Sequence, residues 1–383
     1  MSQRRFVIAV PFRTDYYTNY ARILEMAGML RTNVLWTRNG FSEIPKERHH
    51  LFPSLGLLAY AAAKTLPPYM AESFRFALHP WFDSLAAKKL EPGDHVISSY
   101  GYANKCFRTA RKNHGKTFLD GGNSHPAHFW DLLTEEHKRW DCHYPPIAPF
   151  QHRRAMEMMD DVDYILSPSK FVGNSFIDRG FSKEQILPVF YPVDLSKFKP
   201  TELERPKDRP FTIINTGGLS LRKGTPYLLE AFRLIRKEIP NARFLLTNSP
   251  TDSIKPILAR YNDLDIEWAD YLPEDKLGDR LRTADLFILP SLEEGLVRTA
   301  LQAMATGLPC ILTPNTGAND YIVPGVNGAV VPIRDSKSIA NEACSWWERI
   351  RSGHRVNTEG FAQQLSFERL YQILTTHLSP FAT

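Results

Sequence analysis

The stretch from Leu286 to Thr316, LFILPSLEEGLVRTALQAMATGLPCILTPNT, constrains the fold more than any other part of the chain. It opens with four apolar residues, Leu286 to Leu289, a run short enough for a strand buried on both faces. Pro290 and Ser291 break the run, and Glu293, Glu294 and Gly295 make a tight acidic turn. A helical period follows, with Leu296, Ala300, Leu301 and Met304 on one stripe. Gly307 and Pro309 stop that helix, and Cys310, Ile311 and Leu312 begin the next strand. Strand, glycine turn, helix, strand is the crossover unit of a doubly wound parallel sheet, so the fold class is α/β.

The chemistry of this unit lies in its turn. Amides from about Gly295 through Leu296 and Val297 to Arg298 open a helix and carry its partial positive charge, a ready site for a phosphate. A carboxylate beside such a site fits if Glu294 accepts hydrogen bonds from sugar hydroxyls attached to the phosphate. The plainer alternative is an ordinary helix start in which Glu294 only favours the dipole.

A second strand–turn–helix precedes it. Phe211 to Asn215 is a strand, Thr216 to Gly224 a glycine-rich turn, and a helix runs from about Pro226 to Lys237. Gly217 and Gly218 permit close backbone approach, and Arg222 with Lys223 supplies cationic donors. Ala242 to Thr247 and Ile266 to Leu272 read as further strands, with a helix from Glu274. In the first half, Phe6 to Val10 is a buried strand followed by a helix from about Tyr16, but no G-x-G-x-x-G accompanies it. Strands are also expected at Val34 to Trp36, Asp94 to Ser98, Lys116 to Asp120, Asp163 to Ser169 and Ile186 to Val189. The strand ending in LeuAspGlyGlyAsnSerHisPro runs out into small polar residues, where open α/β sheets bind ligands. Residues 51–90 are apolar on nearly every side and read as helices on the sheet, or as a surface touching lipid with help from Lys64, Arg75, Lys88 and Lys89.

Pro-Ser-x-Glu-Glu-Gly, a helix, and Ala-Met-Ala-x-Gly-x-Pro together resemble the signature of the family 4 (group 1) glycosyltransferases. The resemblance implies the GT-B fold, two Rossmann-like domains facing a cleft, and sugar transfer with retained anomeric configuration. It is specific over about 211–335 and looser before that. The family pattern has two glutamates eight residues apart. The first falls on Glu294; the second, which holds the nucleotide's ribose, falls on Gln302, a departure. By the same resemblance Lys223 grips the donor diphosphate, and Gly218 stands where many members have an arginine, with Arg222 compensating. The nucleobase lies near Tyr271 and Leu272, and His125, with His128 as second choice, faces the donor sugar. Tyr191 to Phe198 matches the interdomain stretch, which divides the chain into 1–195 and 196–359, with a terminal helix in 360–383 returning to the first domain.

At 383 residues the chain suits two domains, and 43% hydrophobic with 23% charged residues are those of a folded protein. A formal charge of +5 favours an anionic partner, while the dispersed basic residues disfavour nucleic acid. Cys106, Cys142, Cys310 and Cys344 have no metal-ligand spacing, and no metal or cofactor is expected beyond a UDP- or GDP-linked sugar donor. Met1 leads almost directly into a strand and no stretch is long enough to span a bilayer, so a cytoplasmic protein is expected, with an acceptor that is a glycan or lipid-linked. Two other readings stay open: a nucleotide-sugar epimerase on the same architecture, and a non-catalytic sugar-nucleotide binder.

Overall fold

The computed structural model describes residues 5–143, 148–200, 209–247, 250, 254–270 and 272–382. They form two parallel sheets. The first holds β1 (Phe6–Ala9), β2 (Leu30–Leu35), β3 (His49–Leu51), β4 (His95–Ser98), β5 (Thr117–Asp120), β6 (Tyr164–Ser167) and β7 (Ile186–Pro188). Its spatial order is β3-β2-β1-β4-β5-β6-β7. The second holds β8 (Thr212–Asn215), β9 (Arg243–Thr247), β10 (Ile266–Ala269), β11 (Leu286–Leu289), β12 (Cys310–Leu312) and β13 (Gly328–Val330), ordered β10-β9-β8-β11-β12-β13.

Every strand pairing among the described residues is parallel, so the central strands are covered on both faces and are apolar at their middles, with polar residues at their ends. Phe6–Ala9 and Leu286–Leu289 are both completely buried, which is why continuous apolar runs rather than alternation mark them in the sequence. Each buried large apolar side chain contributes about 1.5–3 kcal/mol over leaving it in water. In each sheet the order reverses between two adjacent strands, β1 and β4 in the first, β8 and β11 in the second. Ligands of doubly wound sheets sit outside the strand carboxyl ends at such reversals. The loops that leave β8 and β11 are therefore the ones placed for chemistry: Thr216–Gly224 and Pro290–Val297.

Two crossings join the halves. Phe190, Tyr191, Val193 and Phe198 of the first crossing are buried, in one apolar cluster with residues of both sheets. After the helix Ser336–Arg351 the chain returns, and the amide of Val193 donates to the Leu365 carbonyl where the crossings run side by side. The last helix, Phe367–Leu378, is capped by Ser366 and buries Leu370, Leu374 and Leu378, one stripe at a four-residue spacing. It packs on the helix Asp15–Met26 of the first half. His377 Nε2 lies 2.9 Å from the Pro188 carbonyl, and His95 Nε2 lies 2.7 Å from that of Phe381.

Residues 51–90 form three helices, Pro53–Thr65, Pro68–Ala77 and His79–Ala87. The third packs on the first sheet through Phe82 and the ring of Trp36. The first two bury little: Leu55 and Ala62 on one, Ala71 on the other.

Candidate active site

Gly224 ends the loop after β8 in the left-handed region (φ 67°) and heads the helix Thr225–Glu238. A Cβ there would run into the Pro290 carbonyl, so the loop can lie against the exit of β11 only with glycine at this position. The Leu292 amide donates to the Arg222 carbonyl at 2.8 Å and fastens the two exits together. Gly217 and Gly218 both have positive φ, 107° and 79°, and a Cβ on Gly217 would lie 3.7 Å from Lys223 Nζ.

This geometry aims both cations at the acidic turn. Arg222 Nη1 lies 2.9 Å from Glu294 Oε1 and 3.0 Å from the Glu293 carbonyl, and Lys223 Nζ pairs with the same Glu294 oxygen. Burial alone would raise the Glu294 pKa, but Arg222 and Lys223 outweigh it and hold the carboxyl below its usual range. The site therefore sets two cations against one ionised carboxylate.

The turn itself is largely committed. The Glu294 amide donates to Asn315 O, and the Val297 amide to Thr316 O at 3.2 Å. The latter corrects the expectation that all amides from Gly295 to Arg298 face a ligand. The helix Arg298–Ala305 follows, with Val297 at its start and no side-chain cap. Leu296 and Val297 are buried. Among the described residues, Thr216 Oγ1, Ser291 Oγ and Gln302 Oε1 are buried polar atoms without a hydrogen-bond partner, and they sit on the loops and helix that frame the turn.

Gln302 is buried, and its Nε2 donates to Glu274 Oε1 at 3.3 Å. Glu274 opens the helix Glu274–Thr283 and also pairs with Arg298 and Lys197. The carboxylate missing at 302 is thus present beside it, from another helix. Leu272 is half-buried just before that helix; Tyr271 lies outside the described residues.

The facing wall is the loop after β5. Gly122 meets Gly295 so closely that a Cβ on Gly295 would collide with the Gly122 carbonyl. Glu293, completely buried, accepts from the Ser124 amide (2.8 Å) and Ser124 Oγ (3.0 Å), while its other oxygen lies 3.4 Å from Arg222. Ser169 Oγ donates to the Gly295 carbonyl at 2.7 Å, and Arg298 Nη1 reaches Asp15 of the first half at 2.9 Å. Glu293 is a residue that sequence reasoning passed over as part of a tight turn. Its signal was two adjacent glutamates, whose side chains leave a turn in different directions, so that one faces the cations and the other the opposite loop.

The structure places His125 at the head of the helix Pro126–Arg139. Its Nδ1 accepts the Ala127 amide at the start of the helix Pro126–Arg139, and its ring stands 5.1 Å from that of Phe176. Burial pushes its pKa down to about 4, in keeping with a neutral ring that accepts at Nδ1. It lines a hollow of about 450 Å3 within the first half, with Arg179 and Asp160. His128 packs edge-on to Phe171. Glu136 is buried and takes hydrogen bonds from Trp140 Nε1, Tyr227 Oη and Arg334 Nε, at 2.8, 2.7 and 2.7 Å. Tyr227 and Arg334 belong to the second half, so this is a further bond between halves.

The family described as "Glycosyl transferases group 1" matches residues 210–349. WcaL of Escherichia coli, named for colanic acid biosynthesis, is 25% identical over 53% of this chain and 50% of its own length. The amylovoran biosynthesis glycosyltransferase AmsK of Erwinia amylovora is 24% identical over 76% of this chain and 72% of its own. The Anabaena protein HepE, solved in complex with UDP-glucose, superposes with a TM-score of 0.64 at 16% identity, covering 98% of this chain and 99% of that one. The likeness to HepE is one of fold. Residues 210–349, which carry both the cation pair and the Glu-Glu-Gly turn, match the model of the group 1 glycosyl transferases, in a chain with the GT-B fold.

Proposed function

We propose that the chain transfers a sugar from a nucleoside-diphosphate donor, UDP- or GDP-linked, to an acceptor hydroxyl of a cell-surface glycan or its lipid-linked precursor, with retention at the anomeric carbon. The observation that carries this reading is the convergence of Arg222 and Lys223 on Glu294 at a helix start. When the C1–O bond breaks, its electron pair leaves with the β-phosphate, and negative charge grows there. Cations already aimed at that point stabilise it without reorganising at the moment of reaction. A bound diphosphate would take Arg222 and Lys223 over from Glu294, freeing the carboxylate to accept sugar hydroxyls. The positive charge that develops at C1 is then met by the acceptor oxygen, whose proton passes to the departing phosphate oxygen. The glutamine amide of 302 and the Glu274 carboxylate form a polar pair fit for the ribose.

The acceptor side is the first half. A recess of about 320 Å3 lined by Arg13, Thr14, Asp15, Thr18, Asn19 and Ser42 opens at the carboxyl end of β1, where Asp15 meets Arg298. WcaL and AmsK are named for colanic acid and amylovoran biosynthesis, which supports a glycan acceptor.

The test is thermal unfolding with UDP and GDP. One of them should raise the midpoint of the wild type and leave that of Lys223→Ala unmoved, because a ligand bound only by the folded state stabilises it. With a matching sugar nucleotide, Lys223→Ala should lower kcat/KM by about 100- to 1000-fold. A wild type whose midpoint neither nucleotide moves, or a product of inverted configuration by NMR, would overturn the reading.

A further inference from the structure

Most of the large apolar side chains that the described chain exposes lie on one hairpin and the helix after it. Leu57, Leu58 and Tyr60 stand on the helix Pro53–Thr65, Tyr69 and Phe74 on Pro68–Ala77, and Trp81 on His79–Ala87. Leu57, Tyr60, Tyr69 and Trp81 each expose more than 60% of their surface. A helix facing water normally shows a polar face, and Pro53–Thr65 has Ser54, Lys64 and Thr65 as its only polar residues. Contiguous exposed apolar surface of this kind marks a contact that the isolated chain does not make.

The charges say which contact. Within residues 53–81 the exposed ionised side chains are Lys64, Arg75 and Glu72, the last 3.8 Å from Arg75, and Lys88 and Lys89 follow shortly before Glu91. Asp83 is buried and spends its oxygens on the amides of Lys105 and Cys106. Lys64 lies 5.7 Å from the ring of Tyr60, and Arg75 lies 4.9 Å from that of Phe76. Cations interleaved with tyrosine, phenylalanine and tryptophan suit the boundary between acidic headgroups and acyl chains. A second copy of the chain would bring like charges face to face across the same surface.

We infer that the outward face of residues 53–81 docks on an anionic lipid surface. No helix among the described residues is long and apolar enough to cross a membrane, so this is contact in the plane of the interface. A run of rings leads inward from it: Phe76 to His79 at 4.8 Å, His79 to Tyr102 at 4.6 Å, and Tyr102 to Phe12 at 5.2 Å. Phe12 adjoins the recess that begins at Arg13. Docking therefore holds the acceptor side of the cleft at headgroup depth; this last link rests on the transfer reading, while the docking itself does not.

The test is co-sedimentation of the full chain with vesicles of phosphatidylcholine, alone or mixed three to one with phosphatidylglycerol. Binding is expected to the mixed vesicles at low salt, and much less to phosphatidylcholine alone. Leu57→Gln/Tyr60→Ser/Trp81→Ser should bind at least tenfold more weakly, and Lys64→Glu/Arg75→Glu should lose the preference for phosphatidylglycerol. These positions are at the surface, so both variants should keep the wild-type unfolding midpoint and its response to UDP or GDP. That response separates the two ideas, since it reports the donor site whether or not lipid binds. Absence of the wild type from the pellet, or equal binding by the triple variant, would overturn the inference. So would a dimer in sedimentation velocity that the triple variant abolishes, because it would give the face to a second copy.

Discussion

Gln302 shows how a single residue departs from a pattern without removing its chemistry. As glutamine it donates to Glu274, which Arg298 and Lys197 already hold. A glutamate at 302 would set a buried carboxylate against the partly exposed one of Glu274. Gln302→Glu is therefore expected to cost about 3 kcal/mol, the order found for an uncompensated buried charge. Adding Glu274→Gln should restore most of it, and urea unfolding of the two single variants and the double one measures both effects. At this scale the sequence was legible where a residue type and a local turn decide the outcome: Glu294, Arg222 and Lys223 are together as their motifs imply. The surroundings of His125 were not legible, because the ring that packs against it belongs to Phe176, on a helix remote in sequence.

At the scale of elements, buried parallel strands could be read closely, since a strand covered on both faces leaves a continuous apolar run; β11 and β12 match Leu286–Leu289 and Cys310–Leu312. Ile266–Leu272 was read too long because β10, at the sheet edge, ends at Ala269. β5 carries a property no pattern announces. Its last residue, Asp120, is completely enclosed near Tyr17 and Tyr20, and Tyr20 Oη donates to it at 3.4 Å. Burial pushes its pKa up to about 7. A folded-state pKa above the unfolded value means the stabilisation is full below about pH 4 and is lost as pH rises through about 7. Stability of the first half should fall over that window by at most about 1.4 kcal/mol per pH unit. Asp120→Asn should flatten the profile, which denaturant titrations across pH would show; an unchanged slope would assign the effect elsewhere.

The whole molecule is held by bonds between its halves that local sequence does not announce. Glu293 with Ser124, Glu136 with Tyr227 and Arg334, and Ser169 with Gly295 join residues 91 to 198 positions apart. The first of these also touches Arg222, so it connects the cation assigned to the proposed donor with the loop after β5. Glu293→Gln and Ser124→Ala should each lower kcat about tenfold with little change in nucleotide affinity, and the two losses should not add. Small-angle scattering should show the variants more extended than the wild type in the presence of nucleotide. Equal compactness would mean that Glu293 only supports the turn.

The paired crossings, tied where Val193 donates to Leu365, give the molecule a door hung on two adjacent leaves. Such a mounting bends about one axis and resists twisting about the other. Under the transfer reading, a hydroxyl presented by the first half would approach the donor carbon along an arc that this mounting constrains, so regiochemistry would depend on the mounting as well as on the pocket.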